Sequence, residues 1–179
     1  GHHHNKNYTV RSVKAFIDGA LGSRGASLLE PYSDAPNSCG LTLISHDEFL
    51  DIASQCSNAN FQLCTHAIGD KGNRMVIDVY SKHYKENYRW RIEHAQMITR
   101  NDMLRCKEYA IVPSMQPSHC TSDMRWIKDR IGSHRTHRIS RWKTFTELGL
   151  PIPGGSDCPI EDGNPMFEYY AAITGKNHD

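Results

Sequence analysis

The stretch that decides the fold of this chain is Gln62-Leu63-Cys64-Thr65-His66-Ala67-Ile68-Gly69-Asp70. It joins a short apolar run, which ends in a histidine, to a glycine, and this order is typical of a buried strand that turns sharply into a helix. Asp70 is placed to cap a helix that begins near Asn73 and runs to Lys85. The stretch therefore predicts a strand that carries His66 at its carboxyl end.

A second copy of this pattern follows 28 residues later, in Trp90-Arg91-Ile92-Glu93-His94-Ala95. The interval is close to the length of one strand-helix-strand crossover, so the two strands are expected to be parallel neighbours. A single histidine after an apolar run is more often a packing or surface residue than a metal ligand. Because His66 and His94 would both end such strands, the pair indicates a metal site at one edge of a parallel sheet.

Two further strands are predicted to end at the same edge. Residues 110–115 are apolar and lead to Gln116, Pro117 and His119, whereas residues 150–157 end in Asp157. A carboxylate at such a strand end can hold a metal and accept a proton from its water. The polar groups of both segments are therefore expected at one rim.

Residues 9–17 predict an earlier strand, in which Lys14 lies among apolar neighbours. Burial lowers the pKa of a lysine, and the neutral amine can act as a nucleophile or be carbamylated into a metal-binding carboxylate. The alternative is a lysine that extends from the edge of the strand into water. The glycine-rich residues 19–40 predict a long functional loop. Arg24 and Tyr32 of this loop can reach the strand ends, whereas the alternative for both is a solvated position.

Helix starts are marked by capping patterns at three places. Ser45 and Glu48 have the spacing of a capping box, Thr99 precedes a short helix, and Asn164 opens a helix that runs through Ala172. Residues 1–8 contain three histidines but follow no apolar strand, so they are interpreted as a tag remnant or a loop.

The composition, 179 residues with 38% apolar and 23% charged side chains, describes one ordinary soluble domain. No apolar run approaches the ~20 residues that cross a bilayer. A net charge of +1 argues against a globally basic nucleic-acid-binding protein. The six cysteines form no Cys-x-x-Cys pair, which favours free thiols in a reducing compartment over a zinc ribbon or a redox motif.

A local basic segment, residues 125–143, carries seven Lys or Arg residues and one acidic residue. Together with Trp126 and Trp142 it could bind an anionic partner such as a nucleic-acid backbone. Its apolar residues recur at helical spacing, however, and two amphipathic helices with solvated basic faces explain the segment more economically. A noncatalytic module that binds an anionic partner remains the alternative function.

Taken together, the motifs resemble the amidohydrolase superfamily, and within it amidohydrolase family 3, which includes N-substituted formamide deformylases. The segments that carry the resemblance are Val13-Lys14-Ala15-Phe16-Ile17-Asp18-Gly19-Ala20-Leu21-Gly22-Ser23-Arg24, Thr65-His66-Ala67-Ile68-Gly69-Asp70, Arg91-Ile92-Glu93-His94-Ala95-Gln96, Gln116-Pro117 and Gly155-Ser156-Asp157-Cys158-Pro159. Their order and spacing extend over residues 10–174, nearly the whole chain.

The resemblance implies a metal-dependent (β/α)8 barrel, or TIM barrel, that hydrolyses amide-type C–N bonds of small molecules. It further implies one or two divalent ions, with zinc expected, and neither a nucleic-acid nor a membrane partner. In this sequence Lys14 would be the carbamylated bridging lysine, His66 and His94 metal ligands, and Asp157 both ligand and base. Candidate substrate contacts at the rim are Arg24, Gln116 and His119.

One element of the family pattern, a His-x-His pair on the first barrel strand, has no counterpart here. Residues 9–179 are therefore expected to be the C-terminal part of a longer barrel, with about strands four to eight and their helices. A partial barrel has open strand edges, which favour self-association. We also expect the isolated chain to bind metal weakly and to lack hydrolase activity.

Overall fold

The computed structural model describes residues 3–85 and 87–177. Its strands, in chain order, are β1 His3–His4, β2 Thr9–Val10, β3 Ser12–Phe16, β4 Gln62–Ala67, β5 Arg91–His94 and β6 Val112–Ser114. Its α-helices are α1 His46–Ala59, α2 Asp70–Lys82, α3 Arg100–Glu108, α4 Pro117–Asp123, α5 Ile127–Ile131, α6 Trp142–Glu147 and α7 Pro165–Thr174, and residues Ser133–Arg138 form a 3-10 helix. None of the described helices is long and apolar enough to span a membrane.

The centre of the fold is a parallel sheet with the strand order β3-β4-β5-β6. Helices cross back between successive strands, so the carboxyl ends of all four strands lie at one edge. The register places Phe16, His66 and Glu93 side by side in one row. Since side chains alternate between the faces of a strand, this row lies opposite the face that packs against the helices.

The hydrophobic core lies between the sheet and the helices. It contains Ile17, Leu63, Ile92 and Phe49, all fully buried, and each side chain of this size contributes about 1.5–3 kcal/mol on burial. Tyr80 of α2 extends into the core, where its hydroxyl hydrogen-bonds the Thr65 hydroxyl (2.7 Å) and the carbonyls of two neighbouring strands. The core thus holds β4 and β5, which carry the two predicted histidine ligands, in a fixed register.

Three helix starts agree with their sequence signals. Ser45 and Glu48 form a reciprocal capping box at α1. The Thr99 hydroxyl accepts a hydrogen bond from the Asp102 amide at the start of α3, and the Asn164 side chain caps α7. These signals are local, since each needs only side chains within three residues of the helix start.

The predicted bounds of α2 were wrong by three residues at each end. The helix begins at Asp70, and Gly69 occupies its N-cap. A side chain at Gly69 would clash with the Ser27 carbonyl oxygen, so the loop itself fixes this turn. Asp70 does not cap the helix, because its carboxylate accepts hydrogen bonds from the Leu29 amide (2.8 Å) and from Arg138 (2.9 Å).

The predicted last strand, residues 150–157, does not form as a regular strand. Only a single parallel bridge joins Gly154 to Met115 beside β6. Pro151 and Pro153 have no N–H to donate to a ladder, which explains why pairing stops at one bridge. The described sheet therefore has four strands rather than the five expected.

The N-terminal segment also differs from the expected loop. His3–His4 pairs with Thr9–Val10 in a short antiparallel ladder. Gly1 and His2 lie outside the described residues, and the tag interpretation of residues 1–8 stays a prediction.

The basic segment does not form two helices with solvated basic faces. It contains α5, the 3-10 helix and the start of α6, and several of its arginines are bonded within the fold. Arg135 is buried and donates to the carbonyls of Glu30 (3.0 Å) and Pro31 (2.7 Å). Arg130 pairs with Asp34. Arginine has five N–H donors in a planar fork, so these residues tie the 19–40 loop to the remainder of the fold.

Candidate active site

The two strand-end histidines meet at the carboxyl edge of the sheet. The ring centroids of His66 and His94 are 4.6 Å apart, in an edge-on arrangement with an interplanar angle of 70°. Their side chains are 12% and 6% exposed. The structure therefore brings together the pair that the sequence pattern placed on neighbouring strands.

His94 reaches this position because its backbone leaves the strand conformation. Its φ is 77°, and that of Ala95 is 42°, in the left-handed region that side chains rarely adopt. In the register His94 pairs with Ala67, so regular alternation would direct its side chain toward the helices. Strained backbone of this kind costs about 1–3 kcal/mol per residue and is concentrated at functional sites.

Both imidazoles are electrostatically biased toward the neutral form. Burial is the largest cause of the lowered pKa of His66, followed by the charge of Lys14. Burial also lowers the pKa of His94 to about 3, with further contributions from His66, His119 and Lys14. Neutral imidazoles have a nitrogen lone pair free for a metal ion.

Asp157 approaches the histidines from the segment that follows the Gly154 bridge. Its Oδ2 lies 3.9 Å from Nε2 of His94, and its side chain is 47% exposed. The backbone of Asp157 is also left-handed, with a φ of 57°. The carboxylate thus stands at the open side of the histidine pair, where water can reach it.

His119 and Gln116 complete the rim on the β6 side. The His119 ring stacks on His94 at 5.7 Å with an interplanar angle of 12°, and an interaction with the Gln116 side chain partly offsets the lowering of the His94 pKa. A cavity of about 280 Å³ lies among His66, His94, His119, Asp123, Trp126 and Asp157. Its polar lining and apolar wall match the general pattern of a small-molecule site.

Asp18 is a site residue that the sequence reasoning missed, because Asp-Gly after a strand was interpreted only as a turn. Its buried carboxylate accepts hydrogen bonds from the backbone amides of Ser27 (2.9 Å), Ile68 (3.0 Å) and Gly69 (2.8 Å). Its Oδ1 also lies 3.5 Å from Nε2 of His66. Burial raises the pKa of Asp18 to about 6, against the lowering effect of these hydrogen bonds. The sequence feature that could have identified Asp18 is its position between a predicted strand and a glycine-rich loop.

Three residues that were expected near the strand ends are not held in the histidine cluster. Lys14 is exposed, and its Nζ lies 5.1 Å from the Phe16 ring centroid. Of the two alternatives for Lys14, the structure has the lysine that extends from a strand edge, since β3 is the edge strand of the described sheet. Arg24 forms a two-pronged ion pair with Asp34 (3.0 and 2.9 Å). Tyr32 is buried in the loop and donates to the Ala26 carbonyl (2.8 Å).

The histidine nitrogens and the carboxylate of this site are atom types that bind divalent metal ions, although they are not arranged in a coordination geometry. Three buried ring nitrogens, Nε2 of His66, Nδ1 of His94 and Nε2 of His119, have no hydrogen-bond partner. Buried polar atoms are normally paired, so such unpaired nitrogens suggest a missing ligand. Within residues 3–85 and 87–177, however, no three His, Cys, Asp or Glu side chains are close enough together to hold an ion.

Comparison with known proteins identifies the family of this chain. The family model described as "Amidohydrolase family" matches residues 1–179. YtcJ of Bacillus subtilis (strain 168) is 33% identical over 167 residues, which are 93% of this chain and 32% of that protein. Protein LONG AFTER FAR-RED 3 of Arabidopsis thaliana is 34% identical over 166 residues, which are 90% of this chain and 28% of that protein.

A solved structure is similar over almost the whole chain. The crystal structure of an uncharacterized metal-dependent hydrolase from Pyrococcus horikoshii OT3 matches with a TM-score of 0.90 and 31% identity, covering 99% of this chain and 36% of that one. The predicted fold class, a partial (β/α)8 barrel, is confirmed by this likeness and by the parallel sheet. This chain spans about a third of the length of these relatives. It belongs to the amidohydrolase family.

Proposed function

We propose that this chain carries part of the active site, including one histidine pair, of a metal-dependent hydrolase that cleaves amide-type C–N bonds. The observation that carries the proposal is the set of three buried, unpaired ring nitrogens beside Asp157 in one cavity. Leaving a buried polar atom unpaired costs about 1–3 kcal/mol, and a bound ion would remove that cost for its ligands. Family membership supports a hydrolase acting on a small molecule.

The proposed metal ligands are His66, His94, Asp157 and, after carbamylation, Lys14. Imidazole and carboxylate donors suit a divalent ion, and zinc is the expected one, with one or two ions in the full-length protein. Lys14 lies on the same sheet face as His66, since Lys14 pairs in register with Cys64 and Phe16 with His66. When bound, such an ion polarises a carbonyl and lowers the pKa of water.

In this mechanism Asp157 is the residue that moves the proton. It accepts a proton from the attacking water and returns it to the leaving nitrogen, so that the amide bond breaks without releasing an amide anion. The proposal places Gln116 and His119 in contact with the substrate, because both lie against His94 on the β6 side. Arg24 is left out of the substrate contacts, since Asp34 holds its guanidinium.

The test is elemental analysis of the full-length parent, together with a hydrolysis screen over N-formyl, N-acyl and cyclic amides. We expect a stoichiometric divalent metal and activity in one substrate class, both reduced by His94→Ala. His46→Ala is the matched control, because His46 is exposed at the start of α1. A parent that contains no metal, or whose activity survives His94→Ala, would contradict the proposal.

The alternative of a noncatalytic module that binds an anionic partner through residues 125–143 is less well supported. Arg130, Arg135 and Arg138 are committed to contacts with the 19–40 loop and with Asp70. Neutralising them would remove these contacts as well as charge, so a loss of binding would not identify a docking surface.

A further inference from the structure

A second cavity, of about 360 Å³, lies beside the first turn of α3. Its polar lining consists of Thr99, Arg100, His137, Arg138 and Arg141. It shares none of its lining residues with the cavity at the histidine pair. Three guanidinium groups around one cavity repel each other, so the arrangement needs an energetic reason.

Only one of the three arginines is neutralised by carboxylates. Arg138 pairs with Asp70 (2.9 Å) and Glu30 (3.1 Å). In the described part of the chain, no carboxylate forms an ion pair with Arg100 or Arg141. The cavity therefore has two positive charges without a direct counter-ion.

Arg141 is held in place by neutral groups. Its Nη1 donates to the His137 carbonyl (2.6 Å), and its Nη2 donates to the Thr144 hydroxyl (2.8 Å). With Nε also bonded to Thr144, three of the five N–H donors are used, and two remain for a ligand. A side chain fixed in this way loses little further conformational entropy when it binds an anion.

The start of α3 adds to the positive potential. Thr99 lines the cavity and caps this helix of nine residues, whose first-turn amides give its N-terminus a partial positive charge. The acidic residue in that turn, Asp102, is buried and paired with Arg74 (3.0 Å) and Arg105 (3.3 Å). Its Oδ2 also accepts a hydrogen bond from the Thr99 hydroxyl (2.7 Å), so this carboxylate lies next to the cavity, but two arginines that do not line the cavity compensate its charge.

We propose that this cavity binds an oxyanion of the phosphate class, at a site separate from the proposed catalytic centre. Guanidinium groups match the geometry of phosphate oxygens and bind them in a bidentate manner. Two buried apolar side chains, Ile98 and Met103, also line the cavity and can accept the organic part of a phosphomonoester. The ligand is therefore either free phosphate or the phosphoryl group of a small ester.

The test is a calorimetric titration of this chain with inorganic phosphate, repeated with the Arg100→Gln variant. Arg100 is exposed and forms no ion pair with residues 3–85 or 87–177, so its replacement should leave the fold intact. We expect saturable binding by the unmodified chain and a loss of affinity of about tenfold in the variant, because one charge-assisted hydrogen bond is removed.

Lys128→Gln is the matched control, since Lys128 is an exposed cation of the basic segment 125–143 that does not line the cavity. It removes the same charge and should change the affinity less than twofold. Equal losses in the two variants, or no saturable binding, would overturn the proposal. A parallel titration with phenyl phosphate distinguishes the sources: tighter binding than phosphate identifies an ester, and equal binding identifies the free anion.

Discussion

The proposed ligands fall into two groups that differ in how the fold holds them. His66 and His94 are almost buried, on central strands whose register is fixed by the core. Lys14 is exposed on the edge strand, and Asp157 is half exposed in a segment joined to the sheet by one bridge. This chain therefore preorganises the histidine half of the proposed site, whereas the half that contains Lys14 and Asp157 lacks rigid surroundings in it.

The sharpest test of this difference is Asp157→Asn in the full-length parent. We expect kcat to fall by about 100-fold to 10,000-fold, as for the loss of a general base, with little change in the free energy of unfolding. Steady-state kinetics and urea denaturation measure the two effects. Asp129→Asn, an exposed change outside the cavity, is the control. If Asp157→Asn retained parental kcat, the assigned role of Asp157 would be wrong.

Replacing Asp18 should destabilise the half of the site that contains His66 and His94. We expect Asp18→Ala to lower the free energy of unfolding of this chain by about 3 kcal/mol, because three buried amides lose their acceptor. Urea denaturation measures the change. Asp129→Ala should stay within about 0.5 kcal/mol, as is usual for an exposed residue. Similar values for the two variants would show that Asp18 does not hold the β4 turn.

Metal binding by the isolated chain tests whether Lys14 and Asp157 complete a metal site in it. Zinc sites in enzymes use at least three protein ligands, and here no three candidate ligands of the described residues are preassembled. We expect calorimetric titration with zinc to give a dissociation constant in the micromolar range or weaker, and hydrolase activity to be negligible. The full-length parent, measured in the same buffer, is the control. A submicromolar value for the isolated chain would contradict this expectation.

The smallest expected effect is self-association through the open edge of the sheet at β3. Val13 and Phe16 of β3 are 36% and 49% exposed, and Val13 lines an apolar groove with Leu43, Ile44 and Phe61. We expect the isolated chain to self-associate at micromolar concentration, as measured by light scattering, and Val13→Lys to reduce the association.

Leu104→Lys is the control for that change, because Leu104 is 45% exposed on α3, away from the groove. A monodisperse monomer of the unmodified chain would end the hypothesis of association through the open edge. Equal effects of the two lysine variants would show that general surface charge, rather than the β3 edge, controls solubility.

Much of the fold could be predicted because its signals are local. The caps at Ser45, Thr99 and Asn164 depend on hydrogen bonds within one helical turn. The order of His66 and His94 along the chain was enough to place them on neighbouring parallel strands. The prediction of a regular strand at residues 150–157 was wrong because it used only the hydrophobic pattern. Two prolines in this segment remove the N–H donors that a strand ladder needs.

The remaining features depend on partners that are distant in sequence. The α/β class, the family pattern and the histidine pair follow from the amino-acid sequence alone, because apolar periodicity and strand-end residues are encoded within a few positions. The folded structure was needed to show that Asp18 supports the His66 turn, that Arg135 is buried and that Lys14 is exposed. Burial and hydrogen bonding are properties of the whole packed chain, so contacts such as that between Arg135 and Glu30, 105 residues apart, follow from packing.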